Sequence, residues 1–209
     1  KNPDGRPDQF DEMLERIRDI RASEKHFYQK VRDLFSLSTD YDTSDSATHK
    51  FFAIVQNSLI YAVTQKTAAE LITDGANPTD PHFGLSTWKG NKVRKQDILI
   101  AKNYLNEDEI DTLNRLVTIF LETAELRAKN RTETKMQYWQ ENFSQIITSN
   151  GFPLLDHAGT TSHQQMEQQT SDHYLNFDHQ RKTQEAQTAD LQDEVELKAL
   201  EEQLKNRRQ

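Results

Sequence analysis

The stretch Phe51-Phe52-Ala53-Ile54-Val55-Gln56-Asn57-Ser58-Leu59-Ile60-Tyr61-Ala62-Val63 decides the class of fold. Phe51, Phe52, Val55, Leu59, Ala62 and Val63 recur at three- and four-residue steps, the period of one helix face. Ile54, Ile60 and Tyr61 carry the apolar character round to the other faces. The spacing therefore predicts a helix over 45–64 that is central and buried on most sides. Gln56, Asn57 and Ser58 interrupt the run, and it is too short to span a bilayer.

Towards the N-terminus, Phe10, Met13, Leu14, Ile17, Ile20, Phe27, Val31, Leu34 and Phe35 keep the helical step, with Arg, Asp and Glu on the other faces. One long amphipathic helix is expected over 8–36, entered through Pro3, Gly5 and Pro7 and stopped by the turn-forming residues Ser38 to Asp45. Towards the C-terminus, Thr67 and Glu70 have the spacing of a capping box and open a short helix ending near Thr73. The segment 74–91 carries Pro78, Pro81, Gly75, Gly84 and Gly90. A connection of that length inside a domain is commonly functional or an Ω-loop.

Helical spacing resumes over 93–105. Asn106 and Glu109 cap a helix running to about Asn130, and Thr134 is expected to start another that Gly151 stops in the left-handed conformation. Ser162 and Gln165 open a long terminal helix. Its last large apolar residues before a Gln-, Thr- and Ala-rich stretch are Met166, Tyr174 and Phe177, and Leu191, Val195, Leu197, Leu200 and Leu204 follow near its end. The fold expected is all-α: a long N-terminal amphipathic helix, a central buried helix and a long projecting C-terminal helix. Residues 1–160 form the compact part and 161–209 an extended helix with coiled-coil character.

The 209 residues are 34% hydrophobic and 29% charged, a polar balance that suits long helices with wide solvated faces. The net charge of −8 argues against a protein that coats nucleic acid through its overall field. No cysteine is present, which excludes disulfides and thiolate metal sites and is compatible with a reducing, cytoplasmic setting. The chain begins with Lys1, which sets the expectation that it is a fragment of something longer.

A series of motifs appears in order through the middle of the chain: Phe51 to Asn57, Thr67-Ala68-Ala69-Glu70, Gly84-Leu85-Ser86-Thr87-Trp88-Lys89-Gly90, Val93-Arg94-Lys95-Gln96-Asp97, Ile100 to Leu105, Glu109-Ile110 and Leu113-Asn114-Arg115. Together with Asn2 to Asp8 and Glu12 to Arg21, they closely resemble the RhuM family of bacterial virulence-associated proteins. The resemblance implies a bacterial protein of genomic islands and mobile elements. It also implies an N-terminal DNA-binding region of winged-helix or phage-antirepressor character ahead of this segment, and in some relatives a fused Fic/Doc domain. It supplies no catalytic residues to carry over.

The sharpest local signal is Trp88 to Tyr104. Lys89, Lys92, Arg94, Lys95 and Lys102 stand there against one acid, Asp97. The segment reads as a small phosphate or nucleic-acid patch in which Trp88 or Tyr104 could stack on a base. In that reading Lys95 and Lys102, seven apart, share a helix face. The reading favoured over it is a solvated basic face, with Trp88 plugging the core and Asp97 pairing with Arg94. Gln56 and Asn57 are expected either to hydrogen-bond the backbone of 74–91 or to line a pocket with Trp88 and Tyr104. An enzyme would need Arg94, Lys95 and Asn103 gathered with a carboxylate such as Asp97 or Glu70.

Neither the Fic motif nor a metal site is read here. Seven residues intervene between His82 and Gly90-Asn91-Lys92 where that motif has four, and His173 and His179 lack one-face spacing. No cofactor and no catalytic constellation is expected. The expected function is regulatory, with self-association or a protein partner engaged through the long helices, DNA bound through the preceding region, and no membrane. The alternative is an enzyme or toxin acting on a nucleotide or nucleic acid at Trp88 to Tyr104.

Overall fold

The computed structural model describes residues 9–22 and 27–206. Seven α-helices and no strand occur among the described residues: α1 Gln9–Ala22, α2 Phe27–Phe35, α3 Ser46–Thr64, α4 Ala68–Gly75, α5 Glu107–Lys129, α6 Met136–Ser149 and α7 His163–Asn206. The all-α class read from the periodicities holds. The Pro3–Pro7 entry and residues Ser23 to His26 lie outside the described residues, as do the side chains of Phe27, Leu200 and Leu204.

The single helix expected over 8–36 is corrected to two. Lys30 Nζ donates to the carbonyl of Arg21 at 3.0 Å. In an unbroken helix those residues would stand about 13 Å apart along the axis, beyond the reach of a lysine side chain. Changing direction lets Ile17 of α1 and Val31, Leu34 and Phe35 of α2 all be buried, with both helices packed on α5. Ion pairs from Arg21 Nη2 to Glu125 (2.7 Å) and Glu122 (3.1 Å) tie α1 down.

α5 is the hub, and the central place expected of α3 is corrected accordingly. α5 packs against α1, α2 and α3, burying Leu113, Leu116, Val117, Phe120, Leu121, Ala124 and Ala128 along one stripe. α3 buries Phe51, Val55, Ser58, Leu59, Ile60 and Ala62, but its first half leaves Ala53, Gln56 and Ile54 in solvent, Ile54 at 59% exposure. The N-terminal half of α3 is one-sided, and only near Ile60, where α4 closes in, is it covered further round. Phe35 stacks on Trp139 of α6 at 4.7 Å, and Phe120 stacks on Phe143 at 5.4 Å. Burying a side chain of that size contributes about 1.5–3 kcal/mol.

Local caps set most helix starts. Asp45 accepts from Ala47 N at 2.9 Å, and capping boxes form at Thr67/Glu70, Asn106/Glu109 and Ser162/Gln165. The start of α6 differs from the expectation at Thr134. Met136 N donates to Asp40 Oδ1 at 2.7 Å, a residue 96 positions earlier, while Thr39 N donates to Thr134 O and Arg127 Nε to the Thr134 hydroxyl. Thr134 is buried and already engaged, so it is not free to cap. Gly151, at φ +81°, ends α6 in the left-handed conformation.

α7 changes character along its length. Met166, Thr170, Tyr174 and Phe177 are buried, with α7 packed against α4 and the 97–99 turn. From Lys182 to Ala199 every side chain is exposed.

Candidate functional site

The segment between α4 and α5 is held in place by backbone conformations that few residues tolerate. Phe83 has φ +61°, is fully buried and sets its ring against Tyr174 (5.8 Å) and Phe177 (5.3 Å) of α7. Gly84 follows at φ +78°, where a Cβ would stand 2.0 Å from the Gly75 carbonyl oxygen. Only glycine fits there. Further along, Val93 O accepts from Tyr174 Oη at 3.1 Å and from Arg181 Nη1 at 3.0 Å, and Lys92 pairs with Glu185 at 2.7 Å. Arg181 in turn hydrogen-bonds Asp178.

The helix expected over 93–105 is corrected to two 3₁₀ turns, Asp97–Leu99 and Ala101–Tyr104, separated by an extended Ile100. Side chains compete with the helical ladder here. Asp97 Oδ2 accepts from Arg94 N at 2.9 Å, and the Asp97 carbonyl accepts from Ile100 N and from Asn103 Nδ2 instead of from the fourth residue on. The Asn103 carbonyl takes the N–H groups of Ser86 and Thr87, fastening the preceding loop. Tyr104 is buried against Gly75 and donates to Ile98 O at 2.8 Å; burial pushes its phenol above the usual tyrosine range.

This break decides which of the expected site residues meet. Thr87, Trp88, Lys89, Gln96, Asp97, Ile100, Lys102 and Asn103 line one groove of about 590 Å³. Trp88 is half-buried and braced by His82, whose ring centre lies 4.5 Å away. Lys102 is half-buried, and desolvation moves its ammonium below the usual lysine range. Arg94 and Lys95 are exposed and do not line the groove, and without a continuous helix Lys95 and Lys102 do not share a face. Asp97 engages the backbone of Arg94, not its guanidinium.

Glu70 lies elsewhere. One carboxylate oxygen accepts from Thr67 N (2.8 Å) and its hydroxyl, and the other accepts from Thr160 N (2.7 Å) and its hydroxyl. It clips the 152–162 segment to the start of α4. The Thr160 amide first, then the Thr67 amide, hold its carboxyl well below the usual range, at about 2. A depressed folded value stabilises above the ordinary 4.5 and is lost as pH falls through about 2. The Tm gap between the wild type and Glu70→Gln is therefore expected to be widest above pH 4.5 and to shrink towards pH 2. A gap constant with pH would count against the clip.

Gln56 and Asn57 follow neither expectation. Gln56 is exposed, Asn57 is half-buried, and the pair lines a second groove of about 610 Å³ with Ala68, Ala69, Ile72, Lys102 and Met166. Trp88 and Tyr104 take no part in it. α3 turns this face outward, so neither amide is enclosed. Lys102 and Ile100 line both grooves and form the ridge between them.

The grip of α7 on this region went unread in the sequence. Its signal was the helical step Met166, Thr170, Tyr174, Phe177, Arg181, which continues past the last apolar residue to a cation. No group of three or more His, Cys, Asp or Glu that could hold a metal ion occurs among the described residues. No described helix is long and apolar enough to cross a membrane.

The family model described as "Virulence protein RhuM family" matches residues 1–185. No curated protein and no solved structure matches the chain. The match ends at Glu185, the residue of α7 that pairs with Lys92 of the body.

Proposed function

This chain belongs to the Virulence protein RhuM family, and from that premise we propose that it is a non-catalytic assembly domain in which the far end of α7 pairs with the same segment of a second copy. One observation carries the reading: beyond Glu185 the helix leaves the body, with Leu191 at 63%, Val195 at 66% and Leu197 at 60% exposure. Helices draw most of their stability from packing, and this stretch has none within its own chain. Charge favours a second copy as the occupant. Asp190, Asp193, Glu194 and Glu196 precede Lys205, Arg207 and Arg208 in sequence, so antiparallel pairing sets each acidic stretch beside its neighbour's basic end. In this reading DNA contact belongs to the N-terminal region that the family resemblance implies, and the helical body supplies the pairing.

Analytical ultracentrifugation tests it. The chain is expected to sediment as a dimer, and the triple variant Leu191→Glu, Val195→Glu, Leu197→Glu as a monomer with an unchanged Tm, since those side chains touch nothing in the body. A wild type that stays monomeric at every concentration reached overturns the reading.

A further inference from the structure

The groove beside Trp88 combines features that the pairing of α7 does not use. Its wall carries an aromatic ring already packed by His82 on one side, and two lysines, Lys89 and Lys102, border it. Neither ammonium group has a hydrogen bond or ion pair among the described residues, whereas that of Lys92, three residues after Lys89, is matched by Glu185. Leaving an ammonium partly out of water with no counter-charge is unfavourable, and an incoming anion would reverse that. The carboxylate in the wall, Asp97, is 4% exposed, and one of its oxygens is taken by Arg94 N. Gln96 is exposed at the rim, where its amide offers both a donor and an acceptor.

We propose that this groove binds a phosphate-bearing nucleobase, the base lying against Trp88 and the phosphate on Lys102 and Lys89. The volume of about 590 Å³ falls within the range of small-ligand sites. Aromatic stacking accepts any base, and the lysines contact phosphate as point charges, so the site selects the class of ligand more than its sequence. The shared chemistry is available from a free mononucleotide or from the end of a single strand. The break at Ile100 is what makes the site: a continuous helix over 93–105 would not set Lys102 on the ridge beside Trp88.

Tryptophan fluorescence of the full chain reads this directly, because Trp139 is enclosed in the core and Trp88 is the tryptophan at the groove. Adenosine monophosphate is expected to change the signal saturably, with adenosine alone and inorganic phosphate alone each binding more weakly. Lys102→Gln is expected to weaken binding about tenfold, the effect of removing one charge-assisted contact, with Tm unchanged, and Trp88→Phe to abolish the signal. A decadeoxyadenylate titrated in parallel separates the sources: tighter binding than the mononucleotide, steeply salt-dependent, assigns the strand end, and equal or weaker binding assigns the free nucleotide. The proposal is overturned if neither probe gives a saturable change, or if Lys102→Gln binds both as the wild type does.

Discussion

Phe83→Ala is expected to lower stability by about 3–5 kcal/mol, a fall in Tm of roughly 6–20 °C for a chain of this size. The ring is fully buried and supplies the aromatic contact of the 76–96 segment with Tyr174 and Phe177 of α7, beside the hydrogen bonds to Val93. Its removal leaves a cavity between elements that no continuous helix joins. The alanine keeps the cost of φ +61° while losing the packing that made it worthwhile. Phe83→Leu, which retains most of the volume, is expected to lose clearly less. Urea denaturation followed by circular dichroism measures both variants. A loss below about 1 kcal/mol for the alanine would mean the ring does not join the segment to α7 as described.

Gly84→Ala is expected to destabilise by about 3 kcal/mol or more. Two penalties act together: a left-handed conformation costs an alanine about 1 kcal/mol or more, and the new methyl group cannot be accommodated without moving a peptide. The obstructing atom is the Gly75 carbonyl oxygen, 2.0 Å from the Cβ position, and Gly75 is itself crowded by Tyr104 Cδ1 at 2.6 Å from its own Cβ position. The backbone of α4 cannot retreat without disturbing the second 3₁₀ turn. Because residues 83 and 84 share one loop, the double variant is expected to fall short of the sum of the two losses. Thermal unfolding of the two single variants and the double variant checks this, and a Gly84→Ala protein as stable as the wild type would contradict the close approach.

The parts of the fold that were legible in the sequence are those specified within a few residues. The spacing at Phe51 to Val63 and at Ile110 to Ala124 located α3 and α5, and the pairs Thr67/Glu70, Asn106/Glu109 and Ser162/Gln165 marked three helix starts. What was missed depends on partners far along the chain. The turn between α1 and α2 follows from both packing on α5, and the burial of α3 depends on which elements cover it. Residues 93–105 have helical spacing, yet the Asn103 side chain takes the Asp97 carbonyl and divides them. Hydrogen bonding of that kind leaves no periodic trace.

The candidate site was legible in the same limited way. Its residue types could be named, and Trp88, Lys89, Asp97, Lys102 and Asn103 do line one groove. Arg94, Lys95, Glu70, Gln56 and Asn57 fall outside it, because the placement of each depends on the division at Ile100, the clip to Thr160 or the outward face of α3. Composition identifies cations. Geometry decides which of them are left without a counter-charge.

The cap that Asp40 places on Met136 sets an order of events during folding. α5 carries its own capping box and can begin as soon as its first turn is made. α6 lacks a side-chain cap of its own, so its first turn gains its acceptor only when a residue 96 positions upstream has been brought back across the body. A growing chain has therefore presented α1 to α5 before α6 can be secured, and the entropy of closing that loop falls on this late step. Docking of α6 then brings Trp139 against Phe35. Of the helices α1 to α6, the one secured last thus also completes the aromatic stack around Phe35.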